Sequence, residues 1–131
     1  MKLITKDSDY AIRALCALDF RKNKMLSTKD LVEITKIPRP FLRKIMQRLG
    51  SAGIVNPCKG KNGGFSLKKK LKNLSLLEII ETFQGKVTFI NHTFKYRRCP
   101  HASKCKLKRN IDRLEDKLVK DLRKIKLASL T

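Results

Sequence analysis

The sequence predicts a mostly α chain with one small β-hairpin and a long C-terminal helix. Three observations carry this. Three short amphipathic segments, each with its own start and stop signals, fill the first half. Two short strand-like runs then flank the glycine-rich turn KGKNGG. The last segment steps its apolar residues Leu107, Ile111, Leu114, Leu118, Leu122 and Ile125 by 4, 3, 4, 4 and 3.

The first element is SDYAIRALCALDF, with Ser8 as the expected N-cap and Ala11, Leu15 and Leu18 at helical spacing. Asn23-Lys24 breaks it. In LSTKDLVEITK, Ser27 or Thr28 caps a second short helix that turns Leu31, Val32 and Ile34 inward. Ile37-Pro38-Arg39 then forces a turn, because proline is excluded from helix interiors and pushes its predecessor toward extended backbone. Pro38 and Pro40 suit the start of the third helix, where a missing N–H costs little. That helix, PFLRKIMQRLGSAG, sets Phe41, Leu42, Ile45, Met46 and Leu49 on one face and ends at Gly53. IVNPC and GFSLK read as the two strands. Ser75-Leu76-Leu77-Glu78 matches a capping box opening SLLEIIETFQ, which Gly85 stops. Residues 86–104 show no clean period. KLKRNIDRLEDKLVKDLRKIKLASL reads as one helix of roughly 35 Å at about 1.5 Å per residue. Its narrow apolar stripe predicts a contact with a second copy. Three helices followed by a hairpin with a basic glycine tip is the order of a winged helix-turn-helix.

Charge narrows the function. The chain has 131 residues, 32 Lys plus Arg against 11 Asp plus Glu, and a formal net charge of +21. Such a balance favours a polyanionic partner. No acid falls between Ile34 and Leu77, where eleven bases lie: Lys36, Arg39, Arg43, Lys44, Arg48, Lys59, Lys61, Lys68, Lys69, Lys70 and Lys72. That stretch spans the third helix and the hairpin, so duplex DNA is the expected partner, with the third helix in the major groove and the wing on phosphates. With aromatics at 6 % and none grouped on a strand, a single-strand stacking platform is disfavoured, though a non-specific nucleic-acid binder remains the rival reading. No paired carboxylates, Ser/His/Asp set or complete phosphate loop is present, so no enzyme is expected. No apolar run reaches the length of a membrane span, the basic blocks lack Trp, and the N-terminus has no signal-peptide core. A cytoplasmic location with reduced cysteines is the expectation.

The motifs SDYAIRAL, IPRPFLRKIMQRLGSAGIV, KGKNGGFSL, SLLEIIETFQG and CPHASKC stand in the order of a known family. The chain resembles the winged-helix transcriptional regulators that include the iron–sulfur regulator IscR, the nitric-oxide sensor NsrR and the cysteine regulator CymR. The resemblance implies a homodimer built on the C-terminal helix, binding a palindromic operator as a regulator or repressor. It puts Pro38, Arg39, Pro40, Arg43 and Lys44 at the base-reading end of the recognition helix and Lys59, Gly60 and Lys61 in the wing. Thr28, Lys36, Arg48 and Asn62 complete the candidate DNA face. Lys59 stands where the family usually has arginine, so the bidentate fork is missing there.

Cluster-binding members carry three cysteines in the loop. Cys99 and Cys105 match the second and third, and His92 replaces the first. Imidazole can replace thiolate on iron. Some relatives add an acid from the partner's first helix, a position matched by Asp9. The resemblance thus implies an iron–sulfur cluster on His92, Cys99, Cys105 and Asp9. A zinc site on Cys99, Cys105 and His92 or His101, and a metal-free thiol loop, are the alternatives. Cys16 is expected in the core and Cys58 is expected to be structural. The chain then divides into a DNA-binding domain over 1–90, a sensor loop over 91–105 and a dimerisation helix over 106–131.

Overall fold

Helix α1 (Lys6–Phe20) starts three residues earlier than the sequence predicts in this computed structural model, which describes residues 2–21, 25–89 and 104–131. Thr5 is the N-cap, its hydroxyl accepting from the Ser8 amide at 3.4 Å. Ser8 lies inside the helix and is fully buried, donating its hydroxyl to Gln84 Oε1 at 2.7 Å. Its role is set by a residue far along the chain, which local cap rules do not see. The predicted break at Asn23-Lys24 lies outside the described residues.

Helix α2 (Thr28–Thr35) opens on a complete capping box. The Asp30 amide donates to Ser27 Oγ and the Ser27 amide to Asp30 Oδ2, each at 3.1 Å. These bonds, the backbone one first, hold the Asp30 carboxyl below its ordinary pKa. Leu31 is buried, but Ile34 is 41 % exposed and Ile37 takes the core position instead. The reason is Lys36, whose left-handed φ of 61° ends the helix early and swings Ile37 inward.

Helix α3 (Arg39–Ser51) buries Leu42, Ile45, Met46 and Leu49. Phe41 stays outside, with its ring centroid 6.4 Å from that of Tyr10 and 5.1 Å from Lys6 Nζ. Gly53, at φ 74°, closes the helix, and the Ile54 amide donates to Leu49 O at 3.0 Å. Strands β1 (Val55–Cys58) and β2 (Gly64–Leu67) pair antiparallel from Val55↔Leu67 to Cys58↔Gly64. Leu26 adds an unforeseen rung: its amide donates to Phe65 O at 3.0 Å, and the Phe65 amide donates back at 2.8 Å. That ties the hairpin to the start of α2.

A 3₁₀ turn (Leu71–Asn73) leads into α4 (Leu76–Gln84), capped by Ser75 Oγ on the Glu78 amide at 3.2 Å. The Glu78 carboxylate lies 3.5 Å from Lys69 Nζ instead of closing the predicted box. α4 shares two cores. Ile79 joins the main one, with α1, α2 and α3. Leu77 and Ile80 face α5 (Lys106–Lys124), packing with Leu122, Leu118, Val119 and Val87.

The C-terminal helix is shorter than predicted. It stops at Lys124, the backbone extends at Ile125, and a 3₁₀ turn follows (Leu127–Leu130). The Leu127 amide donates to Leu74 O at 2.9 Å, and Leu127 is fully buried in the main core. Burying that side chain outweighs another helical turn. Within the predicted stripe, Leu118 and Leu122 serve the contact with α4. Leu107 and Leu114 remain 67 % and 55 % exposed.

Candidate nucleic-acid interface

α2, the Lys36 turn and α3 form the helix-turn-helix. The N-terminus of α3 is distinctive. Thr5, Ser27, Ser75 and Cys105 cap their helices with a side chain, whereas Pro38 supplies none, and no acid lies in the first turn of α3. Its Arg39 and Phe41 amides therefore face outward with the positive end of the helix dipole, as phosphate contacts require.

Around this end the structure places Lys36, Pro38, Arg39, Pro40, Arg43 and Lys44, all exposed. A groove between α3 and the hairpin is lined by Thr28, Arg43, Gln47, Ser51, Pro57, Lys59 and Phe65. It brings the candidate residues of α2, α3 and the wing to one surface. Gln47 and Ser51 belong to it although the charge argument passed over them. Their spacing from Arg43, i+4 and i+8, is the signal that identifies them. Lys59, Gly60, Lys61 and Asn62 form the exposed tip, where Gly60 has φ 114°. The base of the tip is tight: a Cβ on Gly64 would meet Leu26 O at 2.3 Å.

The ion pairs among the described residues are Arg13–Asp9, Lys69–Glu78 and Lys108–Asp112. None uses a base of this surface. Arg48 is placed elsewhere. Its Nε donates to Thr82 O at 3.1 Å and its guanidinium lies 5.7 Å from the centre of the Phe83 ring, so it braces α3 on α4.

The metal candidates divide. His92, Cys99 and His101 lie outside the described residues. Cys105 is half-buried at the N-cap of α5, its Sγ accepting from the Lys108 amide at 3.4 Å. Asp9 pairs with Arg13 Nε at 3.0 Å on α1. Among the described residues, no group of three or more His, Cys, Asp or Glu side chains is placed to hold a metal ion. Cys16 is half-buried, and that burial first, then the Asp19 charge, pushes its thiol pKa up. Cys58, expected to be structural, is exposed on β1. The strand alternates its faces, and only Val55 of the four residues meets the core.

A helix-turn-helix with an uncapped basic second helix and a basic wing defines a winged-helix protein of the nucleic-acid-binding type. Comparison with known proteins makes this specific. The chain belongs to the Rrf2 family, described as iron-dependent transcriptional regulators, which matches residues 4–131. It is 36 % identical over 95 residues to an HTH-type transcriptional regulator of Aquifex aeolicus (strain VF5), covering 70 % of this chain and 61 % of that protein. The HTH-type regulator YffB of Lactococcus lactis is 27 % identical over 130 residues, covering 95 % of this chain and 82 % of that one. The fold is shared with the global cysteine regulator CymR of B. subtilis (TM-score 0.75, 20 % identity, 99 % and 96 % of the two chains). It is also shared with T. potens IscR (TM-score 0.70, 20 % identity, 99 % and 85 %). The family is one of transcriptional regulators rather than enzymes. No helix among the described residues is long and apolar enough to cross a membrane.

Proposed function

We propose that the chain is a cytoplasmic, homodimeric regulator that reads a palindromic DNA operator and is switched through the loop before α5. One observation carries the DNA reading. Arg39, Arg43 and Lys44 lie in the first turns of the uncapped α3, Lys59 shares a groove with Arg43, Lys61 is exposed at the adjoining tip, and all five are unpaired among the described residues. The α3 stripe Arg43, Gln47 and Ser51 reads base edges, while Lys59 and Lys61 hold phosphates across the adjoining groove.

The division into a reader over 1–90, a loop over 91–105 and a dimer element over 106–131 is refined by the end of α5. The exposed Leu107 and Leu114, with Ile111 between them, are the contact for the second copy, whereas Leu127 belongs to the reader's core. Two readers on one axis set the half-site spacing, one or two helical turns apart.

The loop reading is an iron–sulfur cluster on His92, Cys99, Cys105 and the partner subunit's Asp9. Cys105 fits this set: its sulfur stands at the start of a 19-residue helix, directly after the loop, and accepts the Lys108 amide hydrogen. A bound cluster would supply a centre that responds to oxidation or nitric oxide. Cys105, as the N-cap, transmits a change in the loop directly to the orientation of α5.

Selection of sites from a random duplex library tests the DNA reading. A palindromic consensus is expected. Arg43→Ala should relax preference at one base pair by about 1–3 kcal/mol, and Lys61→Ala should lower the salt slope by about 1 without changing preference. Binding without any consensus would leave only a non-specific role. Anaerobic purification tests the loop: brown protein with iron and sulfide supports the cluster, and colourless, metal-free protein refutes it.

A further inference from the structure

The basic run Lys68-Lys69-Lys70-Leu71-Lys72 is not used by the reading surface. The amides of Lys68 and Lys69 donate to Ile54 O at 2.9 and 3.3 Å, just past the C-terminal end of α3. The run therefore begins about one α3 length, roughly 20 Å, from Arg39. Its direction is set by the return of the C-terminus. Ser75 pairs with Lys126, the Leu76 amide donates to Ile125 O at 2.8 Å, and the two 3₁₀ turns pack together. The 3₁₀ turn that carries Lys72, with Lys70 as its N-cap, is thereby packed against the turn that follows α5. There Lys120, Arg123, Lys124 and Lys126, all exposed, line one open depression.

Two features separate this end from an ordinary solvated helix face. The neighbouring depression along α5 mixes Asp112 and Asp116 with Arg109, Arg113, Lys117 and Lys120, whereas the terminal one is lined by bases alone. Arg123 and Lys124 also complement the last carbonyls of α5. Lys120 and Lys126 on the same depression lie outside the last turn of α5 and have no such carbonyls to serve. The acids in reach are Asp116, which shares the neighbouring depression with Lys120, Asp121 on α5, and Glu78, which pairs with Lys69. Lys70, Lys72, Lys120, Arg123, Lys124 and Lys126 are in no ion pair among the described residues.

We propose that this face is a second phosphate-binding surface, distinct from the α3–wing surface, that holds the backbone of duplex DNA. Spaced, unpaired cations lining one depression suit a polyphosphate chain, and released counter-ions supply the driving force. The duplex reaches it either as DNA flanking the operator or as a second DNA segment bridged by the same dimer. The proposal does not depend on whether the first surface reads a specific sequence.

The test uses the full-length protein and three variants. The terminal variant is Arg123→Ala, Lys124→Ala and Lys126→Ala together. The reader variant is Arg43→Ala, Lys59→Ala and Lys61→Ala together. The third combines all six. All substituted side chains are exposed, and circular dichroism confirms the fold. Fluorescence anisotropy over a salt series compares a duplex of about 20 base pairs with one of about 50. For flanking DNA, the terminal variant should bind the long duplex at least tenfold more weakly, with a salt slope lower by about 2–3. Its affinity for the short duplex should be unchanged. For a bridged segment, both solution affinities stay within twofold, but capture of a labelled duplex by bead-tethered duplex falls at least threefold. If the terminal variant matches wild type in all three measurements, the second surface is refuted, and loss of binding in the reader variant leaves the operator reading standing. If the reader variant alone binds normally, the operator reading fails and the second surface stands when the combined variant loses binding. Stronger binding to phosphatidylglycerol vesicles than to duplex, lost in the terminal variant, would assign the face to a membrane and overturn the proposal.

Discussion

Leu127 is fully buried among Leu74, Leu71 and the α1 core, although it lies in the last turn of the chain. Leu127→Ala removes three carbon atoms from that site. Transfer alone costs about 2.4 kcal/mol at about 0.8 kcal/mol per buried carbon. Incomplete collapse of the cavity brings the total to about 3–4 kcal/mol. The melting temperature should fall by roughly 12 °C. Leu130, three residues on and 46 % exposed, is the internal control, and Leu130→Ala should stay within about 0.5 kcal/mol. Urea denaturation followed by far-ultraviolet circular dichroism measures both, at one fixed protein concentration because self-association of the kind proposed would add to apparent stability. A Leu127→Ala cost below about 1 kcal/mol, or equal to that of Leu130→Ala, would refute the view that the C-terminal turn completes the reader's core.

Gly64→Ala should destabilise by about 2 kcal/mol or more and detach the wing, because the new methyl meets Leu26 O at 2.3 Å with backbone on both sides; loss of amide protection at Phe65 and Leu26 is the readout. Thiol labelling at pH 7.5 should modify exposed Cys58 well before Cys16, whose pKa is raised by burial and then by Asp19; equal rates would contradict the burial. The lowered Asp30 pKa means that its contribution is present above the ordinary carboxylate pKa and is lost as pH falls through the folded value. Wild type should therefore lose more stability than Asp30→Asn between pH 5 and the acid limit of folding, and parallel pH curves would remove the capping box from the account.

Much of the fold was legible because its signals are local. Ser27 or Thr28 as a cap, the Pro38–Pro40 turn, Gly53, Gly85 and the glycine tip each act within a few residues, and each element they predict is present, with Ser27 as the cap of α2. The exposed basic residues proposed for the DNA surface were legible for the same reason, since Lys36, Arg39, Arg43 and Lys44 follow one short turn and one helical period. The misreadings are long-range. Ser8 looks like a cap until Gln84 claims its hydroxyl across 76 positions. Arg48 looks like one more basic contact until Thr82 accepts from it. Cys58 looked structural, but β1 shows the core only Val55.

Caps, breakers and charge runs are written in neighbouring residues, and they set the class of fold, the order of its elements and the acid-free stretch from Ile34 to Leu77. Only the tertiary structure decided where the last helix ends. No glycine or proline follows Lys124, and the helical period runs on to Ile125. The helix stops because a buried position lies open beside Leu74, and Leu127 lowers the free energy more there than it would in another exposed turn. That return also carries Lys126 to the side of Ser75 and divides the apolar stripe of α5. Leu118 and Leu122 are committed to α4, while Leu107 and Leu114 are left exposed, as the proposed contact with a second copy requires.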